Sequence, residues 1–192
     1  MDAGSPRMKN VSEETKVRKI KSFTAEYLPT EDRIRLNCID LDGGTFAFWF
    51  TQRLLNKFIA ASVLKIEKSN LKTEAMQNSR AYAASLNHLE QQVARQQKLT
   101  GPQIKPIKVQ ANPGAWLCQS VDIVTVTQGF QLQFKPEEGG GEKCTMVLTT
   151  LEYRNILDIM FKTYTKADWS IGVFPSWLDN SRQLEQTGSL LN

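Results

Sequence analysis

The order strand, strand, strand, helix occurs twice in this chain, and each time the third strand enters its helix through a threonine. This recurrence constrains the fold most, because a three-stranded meander with one apolar face cannot bury that face alone. The first unit opens near Lys19–Leu28, with Ile20, Phe23, Ala25 and Tyr27 among polar neighbours, and Pro29–Asp32 reads as a turn. Arg33–Ile39 then alternates with period 2, turning Ile34, Leu36 and Cys38 one way and Arg33, Arg35 and Asn37 the other. Asp42-Gly43 marks a hairpin, since a two-residue loop needs positive φ. Thr45–Phe50 is apolar on both faces, so it is either covered on both sides or exposes aromatics for a purpose. Thr51 then caps a helix with Leu55, Phe58, Ile59 and Ile66 on one face.

In the second unit, Val121–Thr127 and Phe130–Lys135 flank a Gln128-Gly129 turn, and Cys144–Leu148 supplies the third strand. Thr149-Thr150-Leu151-Glu152 has the pattern of a capping box, and Tyr153, Ile156, Leu157, Met160, Phe161 and Tyr164 form the apolar face of the helix after it. Residue identity between the units is weak, and the helix registers read as differing by about one turn of 3.6 residues. A second amphipathic stretch, through Tyr82, Leu86, Leu89 and Val93, follows the first helix and ends at Gly101-Pro102.

These elements predict an α+β fold of duplicated β-β-β-α units: two antiparallel sheets packed with helices around a shared core. The expected divisions are a disordered leader over 1–16, a first unit over 17–100, a proline-rich linker over 101–115, a second unit over 116–179 with an apolar tail, and a frayed end over 180–192. The duplicated order resembles the Whirly-type single-stranded-DNA-binding fold. The resemblance is one of topology, implies single-stranded DNA as a ligand, and carries over no individual residue.

Catalytic groups are scarce. The chain of 192 residues has one histidine, His88, with no serine–carboxylate or cysteine pattern around it. Asp40-Leu41-Asp42-Gly43-Gly44 lacks the remaining ligands of a calcium loop and reads as a turn. Gly139-Gly140-Gly141 leads into a strand, so it is a hairpin loop and not a phosphate cradle. Cys38, Cys118 and Cys144 form no C-x-x-C pair and sit in apolar runs, which reads as buried, reduced thiols in a cytoplasmic protein. No apolar run is long enough to span a bilayer as a helix, and the first residues lack the apolar core of a secretory signal. The expectation is a non-enzymatic protein with no metal, cofactor or small-molecule substrate.

Two kinds of surface remain. The net charge of +4 is unevenly spread, with residues 51–100 carrying eight Lys/Arg against three Asp/Glu. Lys57, Lys65, Lys68 and Lys72 fall within an arc of about 80° on a helix. With Arg33, Arg35, Arg53 and the basic leader they could track a phosphate backbone, while Phe48 and Trp49 stack bases. The second surface is apolar: the seam Tyr82, Leu86, Leu89 and Val93, and the tail residues Trp169, Phe174 and Trp177. Pro175 forbids a regular helix in the tail, which either closes the core or straps onto a partner. The favoured reading is an assembly or protein-interaction module, oligomeric or partner-bound through the long helix and tail. The alternative is a single-stranded nucleic-acid-binding protein.

Overall fold

The computed structural model of the chain describes residues 17–70, 80–100, 105–107, 109, 115–138 and 141–179. The expected leader, the frayed end, Lys72 and most of the linker lie outside the described residues. The elements in order are β1 (Arg18–Leu28), β2 (Arg33–Asp40), β3 (Thr45–Phe50), α1 (Gln52–Asn70), α2 (Arg80–Thr100), β4 (Trp116–Val126), β5 (Gly129–Pro136), β6 (Cys144–Thr149) and α3 (Thr150–Lys166). Two short 3-10 turns, Ile171–Val173 and Ser176–Leu178, follow.

The meanders do not stack as two sheets. The six strands close into one mixed barrel in chain order. Within each half the pairing is antiparallel, and the halves join through two short parallel seams, β1 with β6 and β3 with β4, of two residue pairs each. This corrects the expected pair of packed antiparallel sheets and the Whirly-like arrangement with it. The physical reason is that each meander carries two unpaired edges as well as one apolar face. Rolling the two together removes the edges and encloses both faces in one interior.

The period-2 strands supply that interior. Ile34, Leu36, Cys38, Phe46, Phe48 and Phe50 from the first half meet Phe130, Leu132, Phe134, Cys144, Met146 and Leu148 from the second, all buried. Phe48 is fully buried, and its ring stacks on Trp116 at 4.7 Å and lies 5.1 Å from Phe134. The three cysteines are free thiols in this core. Burial pushes Cys118 and Cys144 up to about 12 and Cys38 further, so none is a thiolate at neutral pH.

The duplication is closer than the residue types suggest. β1 shifts register between Ile20 and Ser22, and β4 does so between Cys118 and Ser120, 98 residues further on. Thr51 Oγ1 accepts from Leu54 N, and Thr149 Oγ1 accepts from Glu152 N, again 98 residues apart. The helices therefore share one register rather than differing by a turn. Leu55, Phe58, Ile59 and Ile66 correspond to Tyr153, Ile156, Leu157 and Tyr164, and all eight are buried. The seams break the symmetry: Arg18 pairs with Cys144, but its counterpart Trp116 pairs with Phe48 instead of Phe46.

Gly129, at the β4–β5 turn, has φ +147, and a Cβ there would lie 2.2 Å from the Leu148 carbonyl oxygen. Gly43 also has positive φ, +85, but nothing lies within 4 Å of its added Cβ. Gly129→Ala is expected to cost about 3 kcal/mol by urea denaturation, because backbone must move. Gly43→Ala should cost only about 1 kcal/mol, the conformational term alone. Equal losses would show that the close approach at Leu148 does not govern the turn.

Candidate interaction surfaces

α2 is attached to the rest of the molecule by polar groups. Arg154 of α3 is fully buried, and its guanidinium donates to the Asn87 carbonyl at 3.2 Å and to Asn87 Oδ1 at 2.9 Å. It also pairs with Glu90 and lies 5.3 Å from the centre of the Trp177 ring. One turn along, Arg95 donates to Asp158 Oδ1 at 2.7 Å and to the Leu178 carbonyl at 2.6 Å. Lys162 completes the pairing of Asp158 at 2.8 Å. Gln91 donates to the Arg154 carbonyl at 3.3 Å. A buried arginine is tolerable only when its donors are met, and this network meets several of them with fixed geometry.

Burial pulls the Arg154 guanidinium down from its ordinary value, and Glu90 opposes that shift. At Asp158 burial pushes the carboxyl up, but the hydrogen bonds and charges of Lys162 and Arg95 outweigh it, so the carboxyl sits below the ordinary value. His88 belongs to the same neighbourhood. Its Nδ1 lies 3.3 Å from the Trp177 carbonyl and its Nε2 lies 2.7 Å from Gln92 Nε2, contacts that suit a proton on Nδ1.

The apolar seam of α2 consequently points away from the barrel. Counting about 100° per residue, Asn87, Gln91 and Ala94 fall on the opposite side from Tyr82, Leu86, Leu89 and Val93. The first three are buried, whereas Tyr82 is 54% exposed, Leu89 58% and Val93 41%, with Leu86 half-buried. An amphipathic helix ordinarily turns its apolar stripe inward; α2 does the reverse.

The tail is core. Trp169, Phe174 and Trp177 are buried. The Trp169 ring packs edge-on against Tyr27 and Tyr164, and its Nε1 donates to Asp32 Oδ1 at 2.9 Å. Phe174 meets Phe161 and Tyr164 edge to face. Trp177 Nε1 donates to Glu67 Oε1 at 3.1 Å, so the tail bridges α1, α2 and α3 and its rings are packed in the core.

The basic and aromatic residues do not converge on one track. Phe48 points into the barrel, while Trp49, its neighbour, lies on the outer face with the Arg35 guanidinium 5.4 Å from its ring. Arg35 also donates to Glu26 at 3.1 Å. Arg33 is half-buried on the same strand. Arg53, Lys57 and Lys68 are exposed on α1 and Lys65 is half-buried; exposed Leu64 lies beside Lys57 on the helix wheel, at about 20° on the side away from Lys68.

One feature had no signal in the sequence. A cleft of about 320 Å³ opens between β1, β6, α3 and the end of α2, with Lys21, Phe23, Lys98, Leu148, Asn155 and Ile156 among its walls. Its residues come from three separated stretches of the chain, 21–23, 97–98 and 146–159, so no local spacing announces it. Among the described residues, no group of three or more His, Cys, Asp or Glu could hold a metal ion, and no helix is long and apolar enough to cross a membrane. No family model, curated protein or solved structure matches this chain.

The depressed Asp158 value has a stability consequence with a definite sign. A carboxyl whose folded value lies below its unfolded one stabilises the fold above the unfolded value, roughly 3.9, and this is lost as pH falls through the folded value. Asp158→Asn is expected to destabilise the protein at neutral pH by about 2 kcal/mol. It should also flatten the acid limb of a stability–pH curve below about pH 4. A variant with an unchanged acid limb would remove Asp158 from the acid response.

Proposed function

We propose that this chain is an assembly module that pairs with a second copy of itself through the outer face of α2. The observation that carries this reading is the inverted amphipathicity of α2, whose polar stripe is buried against α3 while its apolar stripe is exposed. Exposed apolar surface that is continuous along one helix is a common mark of a protein interface.

The seam also suits a copy of itself. Tyr82, Leu86, Leu89 and Val93 are spaced four, three and four residues apart, the rhythm of paired helices. The flanking positions Ala83, Ser85, Gln92, Gln96 and Gln97 are uncharged, and the flanking Glu90 is paired with Arg154. Two copies would therefore meet without the like-charge repulsion that opposes many self-pairings. Because the network at Arg154 and Asp158 fixes the helix rotation, the seam is presented in one orientation before a partner arrives, which limits the entropy lost on binding.

The rival reading as a single-stranded nucleic-acid binder has less support, since Phe48 is enclosed and the face of Trp49 is taken up by Arg35. Sedimentation equilibrium on the full chain, from about 1 to 200 µM, tests the proposal, because a seam of this size supports a weak dimer. The wild type should pass from monomer to dimer over that range. Leu89→Lys and Val93→Lys should remain monomeric with an unchanged circular dichroism spectrum. A wild type that stays monomeric throughout overturns the reading.

A further inference from the structure

The seam between β1 and β6 is paired only at Arg18–Cys144 and Lys19–Thr145. Beyond those pairs the strands part, and α3 lies across the gap against both. The gap is the cleft of about 320 Å³. Its apolar walls are Phe23, Met146, Leu148, Ile156 and Ile159, and its polar ones include Lys21, Ser22, Lys98 and Asn155.

The internal symmetry explains why space is left here. Positions 98 residues earlier than Met146, Leu148 and Ile156 are Phe48, Phe50 and Phe58, all buried. At the β3–β4 seam those rings, together with Trp116, fill the interior: Phe48 lies 4.7 Å from Trp116 and 5.4 Å from Phe50. At the β1–β6 seam three aliphatic side chains stand in their places. α2, which has no counterpart among the described residues after α3, adds Gln97 and Lys98 as an extra wall.

We propose that this cleft binds a small amphipathic anion, with its apolar chain on Phe23, Met146, Leu148 and Ile156 and its anionic head between Lys21 and Lys98. The charge balance favours an anion. The one carboxylate among the lining residues, Glu152, is committed to the start of α3: it accepts from Thr149 N at 2.8 Å and Thr149 Oγ1 at 2.9 Å. Lys21 and Lys98 make no ion pair within 4.0 Å among the described residues. The volume lies at the small end of ligand pockets, about 300 to 1,000 Å³, so the fitting chain is short. This site shares only Gln97 with the margin of the α2 seam, and the inference does not depend on self-association.

Octanoate and 1-octanol, titrated separately into the uniformly ¹⁵N-labelled full chain and followed by amide shifts, test it. Octanoate should give saturable shifts at Phe23, Met146, Leu148 and Ile156. The double variant Lys21→Gln, Lys98→Gln removes both charge-assisted contacts and should weaken octanoate by at least about tenfold, and leave octanol unchanged. Ile156→Phe, which copies the ring of Phe58, should weaken both ligands. If that variant does not fold, the surface double variant still decides. The proposal is overturned if octanoate gives no saturable shift, or if the double variant binds octanoate as the wild type does.

Discussion

Closure of the barrel is the constraint on which the remaining structure depends. Each meander alone would leave two open strand edges and one uncovered apolar face. The two parallel seams remove the edges, yet each consists of only two residue pairs. Backbone pairing that short is weak, so the halves are held chiefly by what they enclose. Phe48 is the clearest case: it packs against Trp116 and Phe134 of the other half. The helices then seal the places where the seams are thin, α3 against β1 and β6 and α1 against β4.

The second organising feature is a division of labour among the helices. α1 and α3 occupy equivalent positions and bury apolar faces in the same register. α2 lies outside that symmetry and is secured by Arg154 and Asp158 through hydrogen bonds and ion pairs. Polar docking of this kind contributes less net stability than an apolar face would, but it fixes orientation narrowly. The exposed seam and the cleft both follow from it. The seam is exposed because the polar side is occupied, and the cleft has its fourth wall because α2 is held where Lys98 reaches it.

The strands were largely legible from local pattern. Ile34, Leu36 and Cys38 show period 2 and face inward, Thr45–Phe50 is a strand as expected, and the capping box at Thr149 is present in full. The start of β4 was not legible, because the register shift between Cys118 and Ser120 interrupts the alternation. The seams were hidden for a different reason: Arg18 and Cys144 are far apart in the chain, and two pairs leave no periodic trace. The orientation of α2 was hidden because Arg154 and Asp158 look like the solvated side of a helix until their partners on another helix are known. The registers of α1 and α3 seemed offset because equivalent buried positions hold different classes of residue, such as Ser62 and Met160.

The β1–β6 seam also bears on how the chain is made. Its partners are the first strand and the last, so the barrel cannot close until Cys144 has left the ribosome. Until then β1 lacks both its neighbour β6 and the cover of α3, and the inner face of the first meander, with Phe46, Phe48 and Phe50, is not fully enclosed. Contacts between such distant residues slow folding, and unpaired edges beside exposed rings invite association with other nascent chains. Arg18, which reaches Asp40 and Glu142 and lies over the Phe46 ring, occupies the point where the two ends finally meet. Closure of the barrel thus waits on a latch, and the interval before it engages is when the chain most needs protection.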